Sequence, residues 1–400
     1  MSGEFRRDMF RGLNNPIYRG SGYEDKDDTV KQSWSSGLSQ FLNMLRIPRR
    51  QTIITVLNTL LLFIFLYHLP NISTPSFISI GSRGSSAAPR QMFISDPAEL
   101  TLSPQQRQAR LLEKARDVAI ASPNFPAKIW QTWKTISLPN DDDYKLTSSW
   151  QRLNPSHDYR LLTDSTAEQY VIENFNATDP YIVHLYRSLT QRILAADMLR
   201  YLVMYRSGGL YTDLDTECKL PIDRWLDDSL VHLPGVQPSD INVVIGMELD
   251  VLNRTKWSDD WVKDCGFSQR IQFLQWTVWA RPGHEILRRM ITSLQDTVRT
   301  DASLTSTGNV QSVRYTGNQI LDRTGPWRWT RVIQRYVDEI EGRTVSIEEF
   351  GAIRGARRFG DVLFLSGSRW SPGLEHSGSD DAESFLAHHF HGSWKGDDKN

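Results

Sequence analysis

The run Asp197-Met-Leu-Arg200-Tyr-Leu-Val-Met-Tyr-Arg-Ser-Gly208-Gly209-Leu-Tyr211-Thr-Asp213-Leu-Asp215 sets two carboxylates two residues apart, just after a Gly-Gly pair. In an extended segment residues i, i+2 and i+4 face the same way, so Tyr211, Asp213 and Asp215 are expected to project together. Oxygen ligands in such a cluster suit a hard divalent cation that keeps open positions. A cation of that kind neutralises a diphosphate leaving group. A lone Asp-x-Asp triplet is more often a solvated turn or a cap, and here the context carries the reading. Leu194, Met198, Leu202 and Tyr205 recur at helical spacing, which predicts an amphipathic helix with a buried stripe. Asp197 and Arg200 are i, i+3 neighbours on another face of it. As a surface ion pair they would contribute little; beside a metal, a carboxylate and a guanidinium suit sugar hydroxyls and phosphate. Gly208 and Gly209 let the chain leave the helix at positive φ and enter a strand.

The elements that must position this cluster alternate in type. Strands are expected at Lys128–Trp133, Tyr159–Thr163, Leu210–Leu214, Ile241–Met247 and Val362–Leu365. Helices are expected at 165–174, 179–207, 268–280, 284–298 and 327–340. That alternation predicts an α/β domain with a mostly parallel sheet and flanking helices. Ligands in such sheets bind beyond the carboxyl ends of the strands. Trp130, Asp164, Asp213, Asp215 and Glu248 all lie in or just past predicted strands.

The run from Arg200 to Asp223 resembles glycosyltransferase family 32, and within it the branch of fungal Golgi initiation-specific α-1,6-mannosyltransferases. Three further segments agree, in the family's order. Ala127–Lys134 resembles the first strand of that catalytic domain. Arg270–Thr277, through Arg281-Pro-Gly-His284, resembles its middle helix and the turn that follows. His389-Phe-His391-Gly-Ser393-Trp394-Lys395 resembles its C-terminal signature. The resemblance spans about residues 125–396 and implies a GT-A-like fold, Mn²⁺ or another divalent cation, GDP-mannose as donor, and α-1,6 transfer to an N-glycan mannose with retention. Asp213 and Asp215 would hold the cation, while Asp197 and Arg200 would orient the mannose. Glu248 and Gln275 are candidates for acceptor or oxocarbenium contacts. Thr324-Gly-Pro326 resembles a loop near the sugar, although Ile320–Arg323 departs from the family pattern. A paralogue that mannosylates another acceptor, such as an inositol phosphoceramide, and a non-catalytic scaffold subunit of a mannan-building complex are the alternatives.

Related nucleotide-sugar enzymes recruit a late residue to the metal. By its His-x-x-Gly spacing His389 is the expected third ligand, with His388, His391 and the Ser393 oxygen as alternatives and Trp394 sealing the cleft. Trp130 in this class packs on the nucleotide base, although a strand tryptophan is otherwise a core residue.

Residues 1–45 are polar and are followed by Arg46-Ile-Pro-Arg49-Arg50. Residues 51–69 carry no Lys, Arg, Asp or Glu. That length matches the ~20 residues that cross a bilayer, and the preceding arginines keep the N-terminus cytosolic. The segment starts too far from Met1 and lacks the small-residue site of a cleaved signal peptide. The expected organisation is a cytoplasmic tail (1–50), a signal-anchor helix (51–69), a lumenal stem (70–122) and a catalytic domain (123–396) in the Golgi lumen. Residues 104–120 are helix-like within that stem. Sequons at Asn71, Asn176 and Asn253 fall on the lumenal side. A complex with other Golgi mannosyltransferases stays open. A net charge of -1 over 400 residues gives no basic field for nucleic acid. The two cysteines, Cys218 and Cys265, allow at most one bridge.

Overall fold

A computed structural model describes residues 101–138, 140–252, 256–373 and 382–391. The expected tail, the span 51–69, most of the stem before the helix-like stretch, Asn71, Asn253, Ser393 and Trp394 lie outside the described residues. Among the described residues no helix is long and apolar enough to cross a membrane.

Eight strands form one mixed sheet: β1 Lys128–Thr132, β2 Asp158–Leu162, β3 Gly209–Thr212, β5 Val243–Asp250, β6 Ile271–Phe273, β7 Thr277–Ala280, β8 Ala356–Phe359 and β9 Val362–Leu365. Their order is β2-β1-β3-β7-β5-β9-β8, with β6 pairing to β5. Strands β2, β1, β3, β5 and β9 run one way, and β6, β7 and β8 run against them. Two further strands, β4 Thr216–Cys218 and β10 Leu386–His388, pair antiparallel in a small separate sheet.

Helices α1 Pro104–Ala121, α2 Asp141–Leu153, α3 Asp164–Phe175, α4 Pro180–Ser188, α5 Arg192–Ser207, α6 Glu285–Ser303, α7 Gly317–Arg323 and α8 Pro326–Glu341 are the principal ones. Local chemistry starts them. Ser103 and Gln106 form a capping box with Pro104 at the first turn of α1. Asn140 accepts from the N–H groups of Asp142 and Asp143 at the start of α2. Thr163 caps α3.

One apolar cluster joins the sheet to α3, α4, α5, α6 and α8, with Met198, Leu202, Trp329 and Ile333 fully buried. The other face is tryptophan-rich. Trp225 lies edge-on to Trp150, Trp279 and Trp370 and stacks on Phe385 at 5.6 Å. Most of the tryptophans among the described residues are therefore core.

Two predicted helices differ. The expected helix 179–207 is broken by Leu189–Gln191 into α4 and α5. The expected helix 268–280 is two strands, β6 and β7. Every residue from Ile271 to Ala280 is buried, the polar Gln272, Gln275 and Thr277 included, so no exposed face sets a period. Periodicity cannot separate such a strand from a buried helix, and its β-branched and aromatic content favours the strand.

Gly208 and Gly209 are required where α5 meets β3. Their φ values are +62° and +94°. A Cβ on Gly208 would meet Ala280 O and Pro282 at 2.8 Å, and one on Gly209 would meet Lys128 O at 2.6 Å.

Candidate active site

The carboxyl end of β3 carries the acidic pair, but not by strand alternation. The strand stops at Thr212, and Asp213–Asp215 is a turn into β4. Thr212 and Thr216 clasp the turn by their hydroxyls at 2.8 Å, and Thr216 Oγ1 donates to Asp213 O at 2.6 Å. Asp213 N–H donates to Trp276 O at 2.8 Å, which ties the turn to the start of β7.

Asp213 Oδ1 accepts from Arg200 Nη2 at 3.1 Å and from Tyr211 Oη at 2.9 Å. Its Oδ2 has no hydrogen-bond partner among the described residues, so one oxygen is fixed and the other is left for a ligand. Burial raises the Tyr211 phenol far above its ordinary value, which keeps it a donor. Arg200 Nη1 also stands 3.3 Å from Asp197 Oδ1. Asp197 is 1% exposed and fully satisfied: Thr324 Oγ1 donates to its Oδ2 at 2.6 Å and Gln275 Nε2 to its Oδ1 at 3.1 Å. Tyr201 Oη in turn donates to Gln275 Oε1 and to Thr324 O. Burial raises the carboxyls of Asp197 and Asp213, and Arg200 opposes that in both.

The third ligand candidate comes from β10. Its register pairs His388 with Thr216, and His388 Nε2 reaches Asp215 Oδ1 at 3.1 Å. One ligand atom from each of Asp213, Asp215 and His388 lies within 4.8 Å of the others. Burial works to lower His388, but the Asp215 carboxylate, with Asp213 and Glu248, more than offsets it and raises the imidazole above its ordinary value. Burial would raise Asp215, yet His388 and the N–H of His391 hold it below the usual carboxylate range. The His388 ring packs on Trp276 at 4.4 Å between centroids. Glu248 accepts from Gln272 Nε2 at 2.8 Å, and burial raises its carboxyl while Gln272 and His388 oppose. Four carboxylates thus gather around one guanidinium and one imidazole, a field that favours a cation. Two hard carboxylates, one with an oxygen unspent, and one imidazole fit Mn²⁺ or a similar ion.

The sequence of this chain matches a family model described as a glycosyltransferase sugar-binding region containing a DXD motif, over residues 140–232. It is 31% identical to the initiation-specific alpha-1,6-mannosyltransferase of Candida albicans over 68% of this chain and 73% of that one. The chain belongs to this family of DXD glycosyltransferases. The enzyme of the same description from Schizosaccharomyces pombe is 30% identical, over 68% of this chain and 65% of its own length. Inositol phosphoceramide mannosyltransferase 3 of Schizosaccharomyces pombe is 32% identical over 28% of each chain. The solved PaToxG glycosyltransferase aligns over 58% of this chain and 78% of its own, with a TM-score of 0.34 and 13% identity.

Within this glycosyltransferase the structure brings together Asp197, Arg200, Tyr211, Asp213, Asp215, Glu248 and Gln275. It departs from expectation at two residues. His389 does not join the acidic pair: its Nε2 lies 3.4 Å from Glu217, because adjacent strand residues point to opposite faces. Its backbone N–H, rather than its ring, meets Asp215, donating to Asp215 O at 2.8 Å. Trp130 offers no face to a base. It is 1% exposed, donates from Nε1 to Gly208 O at 3.0 Å and meets Tyr170 edge-on. It sits two residues before the end of β1 and faces the helical layer. Gln275 is a scaffold for Asp197 rather than an open ligand. Thr324, Trp276 and Tyr201 complete the site; all three lie in segments that carry the family resemblance, but sequence ties only the Thr324-Gly-Pro segment to the sugar. No disulfide joins Cys218 to Cys265.

Proposed function

We propose that this protein transfers mannose from GDP-mannose to an N-glycan mannose in α-1,6 linkage with retention. One observation carries the chemistry: the convergence of Asp213, Asp215 and His388 beside the buried Asp197–Arg200 pair. The mannosyltransferase relatives support the sugar and the linkage. A divalent cation held by Asp213, Asp215 and His388 would neutralise charge developing on the diphosphate. The chain's own residues do the rest. Arg200 and Tyr211 fix Asp213, and Thr324 and Gln275 fix Asp197, so neither carboxylate must reorganise during transfer. In the retaining route, the acceptor hydroxyl bonds to C1 on the face the phosphate leaves, and its proton passes to that phosphate. The route needs no enzyme nucleophile. Glu248 stands by for the acceptor or the developing positive charge on the sugar ring.

A GT-A-like fold, a Golgi membrane location and a single-pass anchor at 51–69 belong to the same proposal. The charge-free run after Arg46, Arg49 and Arg50 supports the anchor.

The test is a donor and acceptor panel with the purified full chain and Mn²⁺. GDP-mannose should be used and UDP-glucose and UDP-galactose should not, with one mannose added to a mannose-terminated N-glycan. Excess EDTA should stop the reaction. Transfer to an inositol phosphoceramide would move the protein to the alternative acceptor class without disturbing the site. Full turnover in EDTA would end the metal reading.

A further inference from the structure

Asp143 lies in the first turn of α2 and has no part in the chemistry above. Its side chain is nonetheless only 5% exposed. One carboxylate oxygen, Oδ2, accepts from Asn140 Nδ2 at 2.9 Å, an ordinary helix-start contact. The other, Oδ1, stands 3.1 Å from His391 Nδ1, which lies 248 residues away in sequence. A capping role does not require that second bond.

The segment His388–His391 needs an anchor. Its strand β10 pairs with β4 over three residues only, and a ladder that short is marginal alone. Beyond it the chain turns through Phe390 at φ +52°. A bulky non-glycine residue holds that conformation only where its surroundings impose it. The turn has two consequences at the site. It delivers the His391 N–H to Asp215 Oδ2 at 2.9 Å. It also lays the Phe390 ring 4.0 Å from the His388 ring, which packs on Trp276 at 4.4 Å, so two aromatics crowd the imidazole. The anchor itself is firm. Trp150 Nε1 on α2 donates to Thr216 O at 3.0 Å, and Cys218 N–H donates to Ser149 Oγ at 2.9 Å. Helix α2 is thus fastened to the strand that follows Asp215 and pairs with β10.

We propose that Asp143 is a positioning residue: by holding His391 it closes the segment His388–His391 over the acidic pair and sets the affinity of the site for its divalent cation. The consequence for affinity rests on the metal reading given above.

The test uses the purified full chain with Mn²⁺ alone, without donor. Asp143→Ala and His391→Ala are each expected to weaken calorimetric Mn²⁺ binding by about tenfold, the scale of one charge-assisted hydrogen bond. In metal-free protein each should speed hydrogen exchange across 386–391. The double variant should bind no more weakly than either single one, because one contact is lost in all three. His391→Ala leaves the α2 start untouched, so its melting temperature should stay near wild type while its Mn²⁺ affinity falls. A purely capping role for Asp143 gives the opposite pattern: a lower melting temperature for Asp143→Ala and wild-type Mn²⁺ binding for His391→Ala. That pattern, or additive losses in the double variant, would overturn the proposal. Failure of the metal reading would show in the wild type as no Mn²⁺ uptake, whereas failure of this inference shows only in the variants.

Discussion

Asp215 and His388 form the pivot at residue scale. Their ligand atoms face one another, and the neighbouring His389 is turned to Glu217. This gives a sharp contrast between adjacent histidines. His388→Ala and Asp215→Asn should each lower turnover at least about a hundredfold, since loss of even an outer partner of a metal ligand costs 10–100-fold. His389→Ala should stay within a few-fold of wild type. Mn²⁺ titration of initial rates checks all three, and a His389→Ala variant as impaired as His388→Ala would mean the register of β10 is wrong. The acidic pair itself was legible in the sequence, because Asp-x-Asp after Gly-Gly and an Asp-x-x-Arg helix is an unusual conjunction. The geometry behind it was not. Alternation along a strand predicts co-facing aspartates, whereas a turn clasped by Thr212 and Thr216 brings them together. Which of three clustered histidines reaches the pair is set by a pairing between residues 216 and 388, and no local pattern encodes that register.

Most boundaries were legible at the scale of elements wherever caps or periodicity spoke. Strand β9 falls at the expected residues, and β1, β2, α3, α6 and α8 fall near them. The failures share a cause. Residues 271–280 are buried on both faces and so lack a period, and Leu189–Gln191 interrupts a long helix-like stretch without Gly or Pro to mark it. One element carries a testable charge network that sequence did not suggest. Glu285, at the start of α6, accepts from Arg288 Nε at 2.7 Å and Arg289 Nε at 3.0 Å, and Lys114 of α1 stands 3.3 Å away. Burial would raise this carboxyl, but the two arginines and the lysine outweigh it and bring it down to about 2. A depressed carboxylate stabilises the fold fully above its ordinary value and loses that stabilisation as pH falls toward the folded-state value. Glu285→Gln should therefore cost about 3 kcal/mol at pH 7. The gap from wild type should narrow by more than half by about pH 3. Urea unfolding of both proteins across that range measures it, and a pH-independent gap would mean the loss is one of packing rather than charge.

The whole molecule places its site as open α/β sheets do: Thr132, Asp213 and Glu248 stand at the carboxyl ends of β1, β3 and β5. The antiparallel strand β7 between β3 and β5 begins at that same end, which is why Gln275 and Trp276 join the site. The limit of the folded unit is the remaining question at this scale. Sequence places residues 104–120 in a stem, as a helix with one apolar side. In the structure α1 docks on the domain. Leu111 is 3% exposed, Gln108 Nε2 donates to Ile340 O at 3.1 Å, and Asn242 Nδ2 donates to Ala115 O at 2.8 Å. The helix thus covers the ends of α8 and of β5. A narrow stripe with Leu112 still 48% exposed does not announce docking, because a single buried leucine leaves little periodic signal. Two fragments separate the readings, one starting at residue 101 and one at residue 123. Loss of α1 uncovers one leucine site and leaves the Ile340 carbonyl and the Asn242 amide without these partners. That should cost about 3 kcal/mol, roughly 5 °C in melting temperature for a domain of this size. Equal melting temperatures for the two fragments would return residues 104–121 to the stem. A lower one for the shorter fragment would set the start of the catalytic domain at the Ser103 cap.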